Sequence, residues 1–191
     1  MAEPTSETDL FNFNLENEAQ QFLYHLGFAI TEWAHIEAEL FQVCEAIMKT
    51  QRKLVAIIYY RTPTLDARLK LTDELISAIA PQPERKSGGH PHPTIKLWSN
   101  LRKDIEKSLP TRNQLAHSPA APLAKFDQND GAIIVDIGYA SYMSNTEQLR
   151  GGKPKDALKL RDVQYHIASV SKLINKLRNF RIDELPKLLI K

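Results

Sequence analysis

The sequence predicts a mainly α fold, an up-and-down bundle of four to five helices with a short β-hairpin insertion before the last helix. Apolar residues recur at steps of three and four along most of the chain, prolines and capping residues divide that pattern, and one late segment lacks it. The chain has 191 residues, of which 42% are hydrophobic and 25% charged, so it is long enough to bury a core.

The first helix is predicted from about residue 17 to residue 50, after a loose N-terminal arm over residues 1–14. Its apolar stripe consists of Phe22, Leu26, Ala29, Trp33, Ile36, Leu40, Val43 and Ile47. A second helix ends before Pro63, because proline disfavours helical backbone in the residue that precedes it. A third helix begins after Thr64, which can cap it, and ends before Pro81.

A fourth helix is predicted to begin near Thr94, to be interrupted or kinked at Pro110, and to end just after His117. Residues 119–159 lack helical periodicity, and a turn signal followed by a β-branched run at 131–137 predicts an insertion with short strands. The last helix carries an apolar stripe from residue 160 to residue 177. We expect one helical domain over residues 15–182 and a C-terminal tail over residues 183–191.

Charge is distributed unevenly along the chain. Residues 1–50 carry nine acids and one base, whereas residues 150–191 carry eleven bases and four acids. The basic segment can attract phosphate, or it can pack against the acidic segment so that the two neutralise each other.

The composition excludes several classes of protein. The single cysteine, Cys44, excludes an internal disulfide framework, and no stretch approaches the roughly 18 apolar residues of a membrane span. The N-terminus is acidic and polar, unlike a signal peptide. We therefore expect a cytoplasmic protein with no cofactor, no metal site and no membrane partner.

The candidate site lies at the end of the fourth helix, where polar residues follow its apolar stripe. Arg112 and Asn113 occupy positions at which the preceding turns present core residues, and Asn113 and His117 share a helix face. Arg112 and His117 are about 140° apart on an ideal helix. A histidine exchanges a proton near neutral pH, and an arginine stabilises charge on a phosphate. RNA supplies its own nucleophile, the 2′-hydroxyl, so these residue types suit metal-free phosphoryl chemistry on RNA.

The run Arg112-Asn113-Gln114-Leu115-Ala116-His117 resembles the motif of the HEPN superfamily (higher eukaryotes and prokaryotes nucleotide-binding domains). That motif is an arginine, a polar residue, and a histidine four to six residues after the arginine, in a helical bundle. The resemblance covers roughly residues 15–182. It implies a metal-independent endoribonuclease that pairs its motifs in a homodimer and leaves 2′,3′-cyclic phosphate ends, with Arg112, Asn113 and His117 as catalytic residues.

The resemblance leaves two outcomes open. Some members of the superfamily are toxins of toxin–antitoxin systems, partnered by an antitoxin or a nucleotidyltransferase, or are RNA-cutting defence proteins. Others have lost catalysis and act as binding or dimerisation modules for a nucleotide or a protein. A third possibility is a helical bundle with no link to the superfamily, in which the motif is accidental. The sequence therefore does not decide whether the chain is an enzyme.

Other residues compete for a place in the site. The same arginine-to-histidine spacing recurs at Arg85 with His90 or His92 and at Arg161 with His166. Glu37 and His35 on the first helix can supply outer support, Glu37 by orienting His117 or pairing with Arg112. The alternative is that Glu37 and His35 are ordinary residues at the boundary of the core.

Overall fold

The computed structural model describes residues 7–81, 92–117, 120–126, 133–139 and 158–189 of the chain. In this part the protein is mainly α-helical, which confirms the predicted fold class. Four helices come first: α1 (Glu7–Met48), α2 (Arg52–Arg61), α3 (Leu65–Ile79) and α4 (Pro93–His117). After the strands come α5 (Leu160–Asn179), a π-helical turn (Phe180–Glu184) and the short α6 (Leu185–Leu189).

The first helix begins earlier than the sequence predicted. It is helical from Glu7, so residues 7–14 are not a loose arm.

The predicted cap of α3 is present. The hydroxyl of Thr64 accepts a hydrogen bond of 3.1 Å from the backbone N–H of Ala67, and Asp66 lies in the first turn. The turn between α2 and α3 contains Pro63, as predicted. Local signals therefore fix both ends of this turn.

Pro110 lies inside α4, which is continuous from Pro93 to His117, so the helix is not interrupted there; the alternative of a kink at Pro110 stays a prediction. A proline removes one helical hydrogen bond and crowds the carbonyl four residues before it. The helix nevertheless continues to His117, because Leu115 is buried and holds the turns that follow the proline. The predicted end at residues 118–119 lies outside the described residues.

The chain divides into two compact units, and the single domain over residues 15–182 stays a prediction. The smaller unit comprises residues 1–31 with 111–168, and the larger comprises residues 32–110 with 169–191. The core of the smaller unit consists of Phe22, Ala29, Leu115, Val163 and Ile167. The larger core is formed by α1 from Trp33 onward, α2, α3, the first part of α4, and the chain from Val170 to Leu188.

Acidic and basic segments meet in the larger unit. The buried carboxylate of Glu39 accepts hydrogen bonds of 3.0 Å from Nε of Arg178 and from Nε of Arg181. At this position the acidic first helix and the basic C-terminal segment neutralise each other, which was one of the two interpretations of the charge pattern.

The only cysteine of the chain is buried in the larger core. Its sulfur lies 3.3 Å from the hydroxyl of Thr72, and burial raises the pKa of the Cys44 thiol. Cys44 therefore behaves as a small core residue in the folded chain.

A small sheet follows α4 in the smaller unit. Strand β1 (Ala120–Phe126) pairs antiparallel with β2 (Ile133–Tyr139), from Ala120 opposite Tyr139 to Phe126 opposite Ile133. The two-residue strand β3 (Leu158–Lys159) pairs with the end of β2, giving the order β1-β2-β3. These strands fall within the predicted insertion over residues 119–159.

The end of the described chain is helical where the sequence predicted a tail over residues 183–191. The N–H of Leu185 donates to the carbonyl of Phe180, five residues earlier, as in a π-helical turn. Leu185 and Leu188 are buried, so apolar burial holds this segment against the core. Pro186 follows the wide turn directly, where the loss of an N–H is tolerated. No helix in the described part of the chain is both long and apolar enough to cross a bilayer.

Candidate functional site

The three residues of the predicted motif lie in the last two turns of α4, in the smaller unit. Leu115, in the middle of the motif, is only 3% exposed and packs with Phe22 of α1 and Val163 of α5. Since Asn113 and His117 lie on the opposite side of the helix from Leu115, the packing of Leu115 directs them outward. Both are exposed to solvent.

A hydrogen bond joins the first two motif residues. Nη1 of Arg112 donates to the side-chain oxygen of Asn113 at 3.1 Å. Arg112 starts about 140° from His117 around the helix. The bond draws its guanidinium toward the face that Asn113 shares with His117. The exposed side chains of Asn113 and His117 therefore share one face at the end of α4, and the guanidinium of Arg112 is bonded to Asn113.

The structure distinguishes the motif at residues 112–117 from the second arginine-to-histidine pair, Arg161 and His166, which lies in α5. His166 is 7% exposed, so the imidazole is held away from solvent, and burial lowers its pKa. A buried histidine does not reach a polymeric substrate. In the third copy, Arg85 with His90 or His92, both Arg85 and His90 lie outside the described residues.

Glu37 takes part in a polar network of the larger unit. Its carboxylate forms an ion pair with Arg68, and both side chains are largely buried. Nε of Arg68 also donates to the carbonyl of Thr62 at 3.0 Å, and its guanidinium lies 5.5 Å from the ring centroid of Tyr59. The hydroxyl of Tyr59 donates to the backbone carbonyl of Glu37 at 2.8 Å, and burial raises the pKa of that phenol.

His35 also has a partner within the larger unit. Its Nδ1 lies 3.3 Å from a carboxylate oxygen of Glu32, which in turn accepts a hydrogen bond from the hydroxyl of Ser171. Outer support of His117 by Glu37 or His35 stays a prediction, and each of these two residues takes part in a polar network within the larger unit.

Metal-ligating residues do not gather in the described ranges. Within them, no three His, Cys, Asp or Glu side chains form a group that can hold a metal ion.

The sequence interpretation missed a second feature of the smaller unit, which we call the aromatic pocket. It is a cavity of about 430 Å³ lined by Tyr24, His25, Phe28, Gln164, Ile167 and Ala168. Tyr24 and Phe28 are four residues apart on α1, beside the apolar stripe and not within it. The sequence feature that could have indicated this pocket is the presence of two aromatic residues on the polar side of an amphipathic helix.

Comparisons with known proteins add no relative. No protein-family model, no curated protein and no solved structure matches the chain. The site is therefore interpreted from its own residues.

Proposed function

We propose that the protein is a metal-independent endoribonuclease of the HEPN type that acts as a homodimer. The observation that carries the proposal is the group of Arg112, Asn113 and His117 at the solvent-exposed end of α4, with Arg112 bonded to Asn113. The resemblance of residues 112–117 to the HEPN motif gives the reaction, and the exposure of His117 makes that motif accessible to a polymer.

The reaction needs a base, an acid and a cation. His117 removes the proton of the 2′-hydroxyl, and the 2′-oxygen attacks the adjacent phosphorus. Arg112 stabilises the extra negative charge of the pentavalent phosphate. The bond from phosphorus to the 5′-oxygen breaks, and that oxygen takes a proton from an imidazolium. The products are a 2′,3′-cyclic phosphate and a 5′-hydroxyl end. Asn113 holds the guanidinium of Arg112 in place for this step.

Two copies of the chain supply the two proton-transfer groups. Each motif contains one histidine, while the reaction needs one base and one acid at the same phosphate. Two-fold pairing is the commonest oligomeric arrangement, and it brings two copies of any surface group to one axis. We therefore place the active site between two α4 ends in a homodimer.

The second candidate is a non-catalytic HEPN-like module that binds a nucleotide or a protein. In such a module the bond between Arg112 and Asn113 orders the end of the helix and does not hold the guanidinium for catalysis. In a toxin–antitoxin setting, the partner is an antitoxin or a nucleotidyltransferase.

An RNA-cleavage assay in EDTA separates the two candidates. We expect His117→Ala to lower cleavage by about 10²–10⁴-fold and Arg112→Ala by about 10²–10³-fold. Arg61→Ala removes an exposed arginine of the larger unit and is the matched control, which should cleave like wild type. End analysis should find 2′,3′-cyclic phosphates.

Dimerisation is tested with mixed chains. Excess His117→Ala protein should reduce the activity of wild-type chains beyond simple dilution, because mixed dimers lack one proton-transfer group. Cleavage that needs a divalent cation, or that survives both substitutions, contradicts the nuclease. A dimer that binds RNA without cleaving it supports the non-catalytic module.

A further inference from the structure

The aromatic pocket presents two rings to solvent one helical turn apart. Tyr24 is 71% exposed and Phe28 is 44% exposed, whereas Phe22 on the core face of the same helix is 1% exposed. Exposed aromatic surface of this kind is unfavourable in water and is typical of places that stack a flat ligand. The volume of about 430 Å³ lies in the range of small-ligand sites.

The polar edge of the aromatic pocket is ordered by a chain of hydrogen bonds. Nδ1 of His25 donates to the backbone carbonyl of Gln21 at 2.8 Å, since a carbonyl oxygen can only accept. The side-chain nitrogen of Gln164 lies 3.2 Å from Nε2 of the same ring and donates to it. The amide of Gln164 is thereby oriented, and its oxygen and second N–H remain to pair with a ligand. A donor beside an acceptor matches the edge of a nucleobase.

A cation lies one turn away from this edge. Arg161 precedes Gln164 by three residues on α5 and is exposed. No charged side chain lines the aromatic pocket itself. An uncharged cleft with aromatic walls and an adjacent guanidinium fits a base together with its phosphate.

We propose that the aromatic pocket binds one unpaired base of single-stranded RNA. The base stacks on Tyr24 and Phe28, pairs with the amide of Gln164, and places its phosphate toward Arg161. The identity of the polymer rests on the proposed function, but binding at this pocket requires neither His117 nor cleavage. The base that binds in the aromatic pocket must therefore be unpaired in the substrate RNA.

The test measures binding to an RNA that cannot be cleaved. A fluorescein-labelled 2′-O-methyl RNA oligonucleotide of about 12 nucleotides has no free 2′-hydroxyl, so anisotropy reports binding alone. We expect Tyr24→Ala and Phe28→Ala each to raise the Kd roughly tenfold or more, since each removes a stacking surface. Tyr24→Phe keeps the ring and should retain binding within about twofold.

Tyr165→Ala is the matched control. Tyr165 is 78% exposed and adjoins Gln164 in sequence, yet it does not line the aromatic pocket. Its replacement should leave the Kd unchanged. Arg161→Ala should weaken binding and lower the salt dependence by about one phosphate contact. A blunt duplex of the same sequence should compete poorly, because its bases are stacked and paired.

Several outcomes overturn the proposal. Equal losses in the Tyr24→Ala and Tyr165→Ala variants indicate a general surface effect, and no loss in either stacking variant indicates an unused pocket. A change in sedimentation with Tyr24→Ala assigns the rings to a contact between copies. The proposed function fails separately: 2′-O-methyl RNA that binds through Tyr24 while no RNA is ever cleaved refutes the nuclease alone. Cleavage that depends on His117 but is indifferent to Tyr24 and Phe28 refutes the pocket alone.

Discussion

Replacement of Glu37 by glutamine tests whether this residue stabilises the larger unit or supports catalysis. The substitution keeps the shape of the side chain but removes its charge, so Arg68 loses its anionic partner. The side chain of Arg68 is 15% exposed and that of Glu37 is 22% exposed. Exposed pairs contribute about 0–1 kcal/mol, whereas breaking a fully buried pair costs about 3–5 kcal/mol. For this largely buried pair we expect a loss of about 2 kcal/mol in the free energy of unfolding.

A loss of about 2 kcal/mol corresponds to a fall of roughly 4–8 °C in the thermal midpoint for a chain of this size. Thermal and urea unfolding followed by circular dichroism measure it for Glu37→Gln, Arg68→Met and the double variant. The double-mutant cycle should show a coupling of about 1 kcal/mol or more. Glu45→Gln is the control, because its partner Arg52 is 71% exposed and its loss should cost less than about 1 kcal/mol.

The same variants decide the role of Glu37 in the site. If Glu37 acts through Arg68, RNA cleavage measured well below the thermal midpoint should equal that of wild type. A tenfold or greater fall in kcat with an intact fold would assign Glu37 to the support of His117. A coupling below about 0.5 kcal/mol would refute the structural reasoning.

Two further predictions concern stability. Thr64→Ala removes the cap of α3 and should cost about 1 kcal/mol, while Thr64→Ser keeps the hydroxyl and should cost much less; equal losses in urea unfolding would show that the hydroxyl does not cap. Burial lowers the pKa of His166, so the unfolded chain binds this proton at a higher pH than the folded chain. The free energy of unfolding should therefore fall as the pH drops below about 6.5 and through the folded pKa, and His166→Gln should flatten that dependence. An unchanged pH profile in the variant would contradict this cause.

Local signals in the sequence were sufficient for most of the helices. The cap at Thr64 and the stop at Pro63 act within a few residues, and the structure follows both. The effect of Pro110 was not predictable in the same way. Its local penalty is offset by the burial of Leu115, which depends on residues of α1 and α5 far away in the sequence.

The candidate site was predictable only as a set of residue types. The motif lies within six consecutive residues, 112–117, so its spacing was visible in the sequence. The shared helix face of Asn113 and His117 was visible for the same reason. The ion pair between Glu37 and Arg68 joins positions that are 31 residues apart, and only the packing of α1 with α3 creates it. The aromatic pocket likewise needs α1 and α5 side by side, so the sequence showed Tyr24 and Phe28 without the partner Gln164.

The thiol of Cys44 can report local unfolding of the larger unit. Cys44 is 1% exposed and contacts Thr72, so a thiol reagent in solution cannot reach it in the folded unit. Alkylation of Cys44 then requires local unfolding that exposes the thiol. At saturating reagent, the rate of alkylation equals the rate of this local unfolding. With no other sulfhydryl to react, mass spectrometry of the intact chain can count these events without any introduced label.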